Sequence, residues 1–397
     1  MPFFQTIYSV MINNFSLEWY EWLLISLFVV AFGIQLFFYI YFYTAVWVRN
    51  RREKKGQIVF SDEQPPVSVI VCAKNEADNL NEFLPLILEQ DYPEYEVIII
   101  NDGSTDDSEE VLSKFQRLYL HLYVTHLPEA TKIISRKKLG ITLGVKASHY
   151  NLLLFTDADC RPLTKHWISK MVRNFTPETE FVLGYGAYFK EKTFISKLIS
   201  YDTFFIALQY FGFAYRGKPY MGVGRNLAYR KETFYRLKGF AGTLHIASGD
   251  DDLLVNEAAN KDNTRIETSL ESITLSVPKP SFFDWISQKQ RHLRASKLYT
   301  KESKLLLGLE PASRGLFYLT FVALACLLPL HLIYYVLGLF VVRYLVQLVV
   351  VNVSAKSLKE RKFFLSLLLF DVFLPLITLY CMTIGKMLNK EQKNAWK

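Results

Sequence analysis

Residues 22–47 run without a single charged side chain, and nearly every residue in the stretch is apolar. About 20 such residues are enough for a helix to cross a hydrocarbon core, where a chain must satisfy its own backbone hydrogen bonds. The sequence therefore predicts a transmembrane helix near the N-terminus. Glu18 and Glu21 precede it where a secretory leader carries basic residues, and no small-residue cleavage site is present, so the helix is expected to stay in the mature protein. Arg49, Arg51, Arg52, Lys54 and Lys55 follow immediately. Basic residues collect on the cytoplasmic side of spans, which places the next segment in the cytoplasm and the N-terminus outside.

A second apolar region closes the chain. From 315 to 353 it is broken only by His331 and Arg343, with Pro329 inside it. That pattern fits two short spans joined by a tight bend, or one long tilted helix. The last apolar run, 363–382, contains Asp371 and Pro375, so it either spans or forms a broken or re-entrant helix. If two spans precede Lys356, Lys359, Arg361 and Lys362, these lie in the cytoplasm, and a spanning last helix then puts the basic C-terminus outside. The chain thus divides into residues 1–50 with one span, a cytosolic domain over 65–300, and a C-terminal cluster of two or three spans over 301–397. The net charge is +8. Because the basic runs flank the spans and do not interleave with aromatics on one domain face, they point to a membrane and not to nucleic acid. Cys72, Cys160, Cys326 and Cys381 form no CxxC pair and no zinc spacing, and read as small buried or lipid-facing residues of a reducing compartment.

The central segment alternates short β-rich runs (67–72, 96–100, 152–155, 181–183) with stretches that are apolar at helical spacing, NLNEFLPLILEQ and SEEVLSKFQRLYL. Strand, helix, strand, helix, strand predicts an α/β domain with a mostly parallel, Rossmann-like sheet, whose ligands sit beyond the carboxyl ends of the strands. The polar motifs fall at those ends. VSVIVCAKNEADNL ends its strand at Lys74, Asn75 and Glu76, and EVIIINDGSTDDS ends at Asn101, Asp102 and Gly103. Each alone also fits an ordinary helix-capping turn. NLLLFTDADCRP puts Asp157 and Asp159 one residue apart after a buried strand, a spacing at which two hard carboxylates can share magnesium or manganese and its diphosphate.

In order and content these motifs resemble family 2 glycosyltransferases of the GT-A fold, especially membrane synthases of extracellular polysaccharides, over residues 66–299. The resemblance implies that Ala73, Asn75, Glu76 and Asp102 line the nucleotide pocket of a nucleotide-sugar donor, a UDP-sugar, and that Asp157 and Asp159 meet nucleotide and metal (Mg2+ or Mn2+). SRKKLGITLGV resembles the segment GKxxALNxG, making Lys137 a phosphate contact, with Arg136 and Thr142 in place of the usual Gly and Asn. GVGRNLAYRKETF resembles the acceptor-side segment, with Gly222 and Gly224 allowing close approach of a sugar. The resemblance places the catalytic base in SGDDDLLVNEA: alignment on GDDxxL puts it at Asp251, alignment on EDxDL at Asp250, and Asp251 is preferred. QKQRHLR is similar to the QxxRW signature of processive synthases, with Gln288 and Arg291 on the donor side and His292 where a tryptophan platform for the acceptor is usual.

The expected reaction is an inverting single displacement onto a glycan or lipid-linked acceptor at the inner (cytoplasmic) membrane, with any polysaccharide-export partner unknown. A nucleotidyltransferase would also use paired aspartates and metal, but needs neither Asp250 and Asp251 nor the Gln288, Arg291 motif. A non-catalytic membrane partner retaining the fold would not need every acidic motif filled.

Overall fold

The computed structural model describes residues 17–128, 135–246 and 248–383; the N-terminal residues expected outside and the basic C-terminal tail lie beyond them. The first helix is longer than the uncharged run. It comprises α1 (Trp19–Phe37), a π-helical turn at Phe38–Phe42, and α2 (Ala45–Lys54). The basic run is therefore the last turns of a helix, and not all of it faces lipid. Arg49 is buried and pairs with Glu267 at 3.1 Å, and also with Glu53, which fastens the helix to the domain that follows.

The sheet domain follows in the order β1 (Val67–Ala73), α3 (Ala77–Leu88), β2 (Tyr95–Asn101), α4 (Ser108–Leu118), β3 (Leu122–His126), α5 (Arg136–Ala147), β4 (Leu152–Asp157), β5 (Cys160–Pro162), α6 (Trp167–Val172), β6 (Phe181–Leu183) and β7 (Gly186–Tyr188). A long buried helix, α7 (Phe194–Tyr215), separates these from β8 (Leu227–Arg230), α8 (Lys231–Arg236), α9 (Asp252–Ala258), β9 (Thr264–Ile266), β10 (Thr274–Ser276) and α10 (Phe282–Ala295). The large sheet runs β3-β2-β1-β4-β8-β6-β9. Its β3-β2-β1-β4 half is parallel, while β8 is antiparallel to both β4 and β6. A small sheet, β5-β10-β7, lies beside it.

Alternation sends successive β1 side chains to opposite faces. Val67, Val69 and Val71 join Leu80, Leu84 and Trp167 in one core, and Ile70 and Cys72 join Ile141, Val145 and α7 in the other. Both faces are covered, which is why the parallel strands read as continuous apolar runs and not as alternating ones. β3 was not legible: its pattern of buried, exposed and half-buried residues at the sheet edge is too weak a signal. Neither was α7, which is apolar nearly all round because it lies between the sheet and the N-terminal helix. There its Gly212 sits so close to the π-turn that a Cβ would meet the Phe42 carbonyl at 2.6 Å.

The C-terminal region contains α11 (Lys301–Leu327), α12 (Leu330–Ser357) and α13 (Leu365–Thr383). The chain breaks at Leu328 and Pro329, so the single long helix is not what forms: proline cannot donate to a carbonyl of the preceding turn. α13 is continuous through Pro375, not broken. Trp19–Lys54, Leu330–Ser357 and Leu365–Thr383 are each long and apolar enough to cross a membrane. Their polar residues meet inside the bundle. Arg343 donates to Asp371 at 2.8 Å and to Gln35 at 2.7 Å, and Tyr318 donates to Asp371 at 2.6 Å. The turn between α12 and α13 packs on the sheet domain, where Tyr185 donates to Glu360 at 2.8 Å and Arg361 to the Glu191 carbonyl at 2.6 Å. α12 therefore returns to the side of the sheet domain and α13 leads away from it.

Candidate active site

Three strands end together. The Ala73 carbonyl, at the end of β1, accepts the Asp102 N–H at 2.8 Å. Asn75 follows with φ of 54°, a left-handed conformation that asparagine tolerates. Its N–H donates to Ser104 Oγ at 2.9 Å, and its Oδ1 accepts the Thr105 N–H at 2.8 Å. The two polar clusters are thus knitted across the ends of β1 and β2. Burial pushes the Glu76 carboxyl above its ordinary range. Asp102 is buried; its Oδ1 is held by Arg136, and its Oδ2 has no hydrogen-bond partner among the described residues.

Lys137 reaches this region because α5 lies very close to the sheet. A Cβ at Gly144 would meet Ile100 and Ile70 at 2.8 Å, so only glycine permits that approach. From the first turn of α5, Lys137 Nζ donates to Asp157 Oδ1 at 2.9 Å and lies 3.2 Å from Asp250 Oδ2. Burial lowers the Lys137 ammonium's pKa, but Asp157, Asp250 and Asp251 together drive it well above the ordinary value, so it stays charged. Asp157, Asp159 and Cys160 place ligand atoms within 4.8 Å of one another. Burial first, and then the neighbouring Asp157, push Asp159 up, a penalty that a divalent cation relieves. Burial also holds the Cys160 thiol protonated. The donors available are therefore the two carboxylates, which suit magnesium or manganese.

Gly249, with φ of 83°, turns the chain into the three acids. Asp250 and Asp251 both precede α9, and both line one cavity of about 180 Å³, as does Asp252. Asp251 caps α9, its Oδ1 accepting the Asp252 N–H at 2.9 Å and its Oδ2 the Gly224 N–H at 2.6 Å. Burial raises the Asp251 pKa. A side-chain hydrogen bond with the Asp252 carboxyl and the charge of Lys137 outweigh that and leave it well below the carboxylate range. Burial raises Asp250 despite Lys137. Asp252, bonded by the Tyr299 hydroxyl at 2.7 Å, is raised further, by burial and then by Asp251.

Gln288, Arg291 and His292 of α10 line the same cavity. Loss of water around the ring in the cavity wall, and then Arg291, push the His292 imidazole down to about 4, so it is neutral near pH 7. Gly222 does not line the cavity. A Cβ there would meet Leu227 at 2.9 Å, so its glycine serves packing against β8.

The family model for Glycosyl transferase family 2 matches residues 68–238, which hold β1 through α8 and the paired aspartates. The chain carries a family 2 glycosyl transferase domain. A glycosyltransferase of Haloferax volcanii, AglE, is 32% identical over 110 residues, covering 27% of this chain and 34% of that protein. The poly-beta-1,6-N-acetyl-D-glucosamine synthase of Staphylococcus epidermidis is 26% identical over 135 residues, covering 31% of this chain and 32% of the relative. The chain thus aligns with about a third of each relative's length. A mannosyltransferase of Pyrobaculum calidifontis, solved in complex with GDP-Man and Mn2+, shares the fold at a TM-score of 0.55 and 19% identity, over 85% of this chain and 98% of that one. The fold is the GT-A arrangement, with α-helices added at both ends.

The cavity is also lined by residues that the motifs passed over. Arg225, directly after Gly224, lines the cavity and stacks 4.4 Å from the Tyr188 ring, and its Nη1 is buried without a hydrogen-bond partner among the described residues. An arginine next to a glycine-rich turn was the available signal. Asp202 of α7 and Lys289 of α10 pair on the cavity wall at 2.7 Å, and no sequence spacing links them.

Proposed function

We propose that the protein is a membrane-bound inverting glycosyltransferase that moves a sugar from a nucleotide-sugar donor to a glycan or lipid-linked acceptor, on the cytosolic side of the inner (cytoplasmic) membrane. The observation that carries this reading is that Asp251, Lys137 and Asp157 line one cavity although they come from three separate motifs. The clusters at Asn75, Glu76 and Asp102 supply polar groups for the nucleotide. The GDP-Man held by the Pyrobaculum calidifontis neighbour supports a sugar nucleotide as donor, and three long apolar helices support the membrane.

In this reading Asp251, ionised across the physiological range, accepts the proton of the acceptor hydroxyl as that oxygen attacks the anomeric carbon. Lys137, Arg291 and Arg225 offset negative charge on the departing diphosphate. A divalent cation held by Asp157 and Asp159 would neutralise the rest. Neutral His292 adds no charge beside the base. Attack from the face opposite the leaving group inverts the anomeric centre and needs no covalent enzyme intermediate.

The test is release of nucleotide diphosphate by the purified full chain in detergent from a panel of UDP- and GDP-sugars. At least one donor is expected to turn over. No release from any donor, with or without added membranes, would end the transferase reading.

A further inference from the structure

Beyond the catalytic acids, the cavity continues along α10. His292, Lys289 and Trp285 recur at helical spacing and all line it, so the wall extends about 10 Å from His292 at 1.5 Å per residue. The facing wall is α7, with Asp202, Thr203 and Ile206. Lys289 Nζ donates to both oxygens of Asp202, at 2.7 and 2.8 Å, and the two side chains are only 9% and 10% exposed. This pair leaves one ammonium N–H and further carboxylate lone pairs unused, a donor and acceptors side by side in a nearly dry wall. Trp285, 3% exposed, lines the cavity beside the pair and adds an apolar edge to it.

Charge decides what such a wall can take. Five carboxylates and four cationic side chains line the cavity, and burial shifts two of the carboxylates, Asp250 and Asp252, toward the protonated form. Lys289 is neutralised by Asp202, and Lys137 by Asp157 and Asp250. No cation is spare for a second phosphate once the donor's diphosphate has been met. An ion pair beside an indole suits hydroxyl groups on a neutral ring, which accept and donate at once.

We propose that Asp202, Lys289 and Trp285 form the acceptor subsite and that they hold a neutral saccharide, whose hydroxyl, and not a lipid phosphate, receives the sugar. This rests on the transferase reading above. The bond formed is from that hydroxyl oxygen to the donor's anomeric carbon. The bond broken is from that carbon to the diphosphate oxygen, with the proton passing to Asp251 and the nucleoside diphosphate leaving. The subsite supplies the aromatic surface that the His292 position lacks.

The experiment uses membranes holding the full chain, a radiolabelled nucleotide sugar that turns over, and mild acid treatment of the labelled product. Sugar joined to a phosphate is released by mild acid as a labelled monosaccharide; sugar joined to a saccharide is not. The expected result is label that stays in an oligosaccharide or longer chain. If acid moves it from the lipid to the aqueous phase at oligosaccharide size, the acceptor glycan rides on a lipid; if nothing moves, it does not. Either result supports a saccharide acceptor, whereas release as monosaccharide overturns it.

Replacing one partner of the pair strands a buried charge, so the variant is the double change Asp202→Leu with Lys289→Leu. Incorporation is expected to fall at least about tenfold, with UDP or GDP affinity within about twofold as the check on folding. Trp285→Leu should act likewise, with Trp285→Phe recovering most of the loss. Incorporation within twofold of the parent in both Leu variants overturns the assignment. No donor turnover in the parent would sink the transferase reading, and this inference with it.

Discussion

The backbone N–H of Gly224 donates a 2.6 Å hydrogen bond to Oδ2 of Asp251. The glycine-rich turn and the acid cluster, 27 residues apart, are thereby one unit, and the carboxylate is oriented from two sides because Oδ1 accepts the Asp252 N–H. Asp251→Asn must place its amide NH2 against one of these two donors. It should therefore lose the proton acceptor and also about 1 kcal/mol of stability. Transfer should fall on the order of a hundredfold to ten-thousandfold, with nucleotide affinity near that of the parent. Asp250→Asn should be milder. Single-turnover transfer by the two variants decides: a dead Asp250→Asn beside an active Asp251→Asn moves the base by one position.

Asp157 and Asp159 offer the hard oxygen pair of the site, and Asp159 is disfavoured as an anion without a cation beside it. Excess EDTA should abolish turnover, and added magnesium or manganese should restore it. Asp159→Ala should not be restored by either ion at concentrations that saturate the parent. Full activity of the chelated protein or of Asp159→Ala removes the metal assignment.

His292 carries a pKa of about 4 in the folded protein, against about 6.5 for a free histidine. Between those values the unfolded chain binds a proton that the native one does not, so this residue's share of stability is complete above about pH 6.5 and is lost as pH falls toward 4. His292→Gln should flatten that part of a pH–stability curve. It should leave the shape of the pH–rate profile between pH 6.5 and 8 unchanged. An inflection near pH 6.5 in the parent that vanishes in the variant would show that His292 titrates normally.

Arg343, Asp371, Gln35 and Tyr318 tie α1, α11, α12 and α13 together through buried polar contacts. Asp371→Ala strands Arg343 and should cost about 3–5 kcal/mol, visible as a lowered midpoint of thermal unfolding in detergent. Arg343→Met combined with Asp371→Leu should recover much of that loss. If the single change is silent, the pair does not hold the bundle.

The basic end of the first helix and the α12–α13 turn both pack on the sheet domain, so a single side of the membrane should hold all three. A cysteine at exposed Lys114 should resist an impermeant thiol reagent in intact cells and react after lysis. Cys326 is also exposed among the described residues, so Cys326→Ala is the background for the measurement. Reaction at position 114 in intact cells reverses the topology.

The apolar runs determined that this chain has membrane-length helices at both ends, because a run without charge is a one-dimensional property. Strand, helix and motif order likewise determined the parallel half of the sheet, since each buried strand ends at its own polar cluster. The relations between those clusters were decided by tertiary structure. Lys137 meets Asp157 and Asp250 only because Gly144 lets α5 lie against Ile70 and Ile100. Gly222 and Gly224 look alike in sequence, yet one packs on Leu227 and the other binds Asp251. Arg49 was legible only as one of the basic residues that follow the first span; its pairing with Glu267 was not. Asp202 and Lys289 are 87 residues apart, and β3 and α7 carry patterns set by what covers them. Contacts between distant segments depend on how closely backbones approach and on which face each helix turns inward, and neither is written at any single position in the chain.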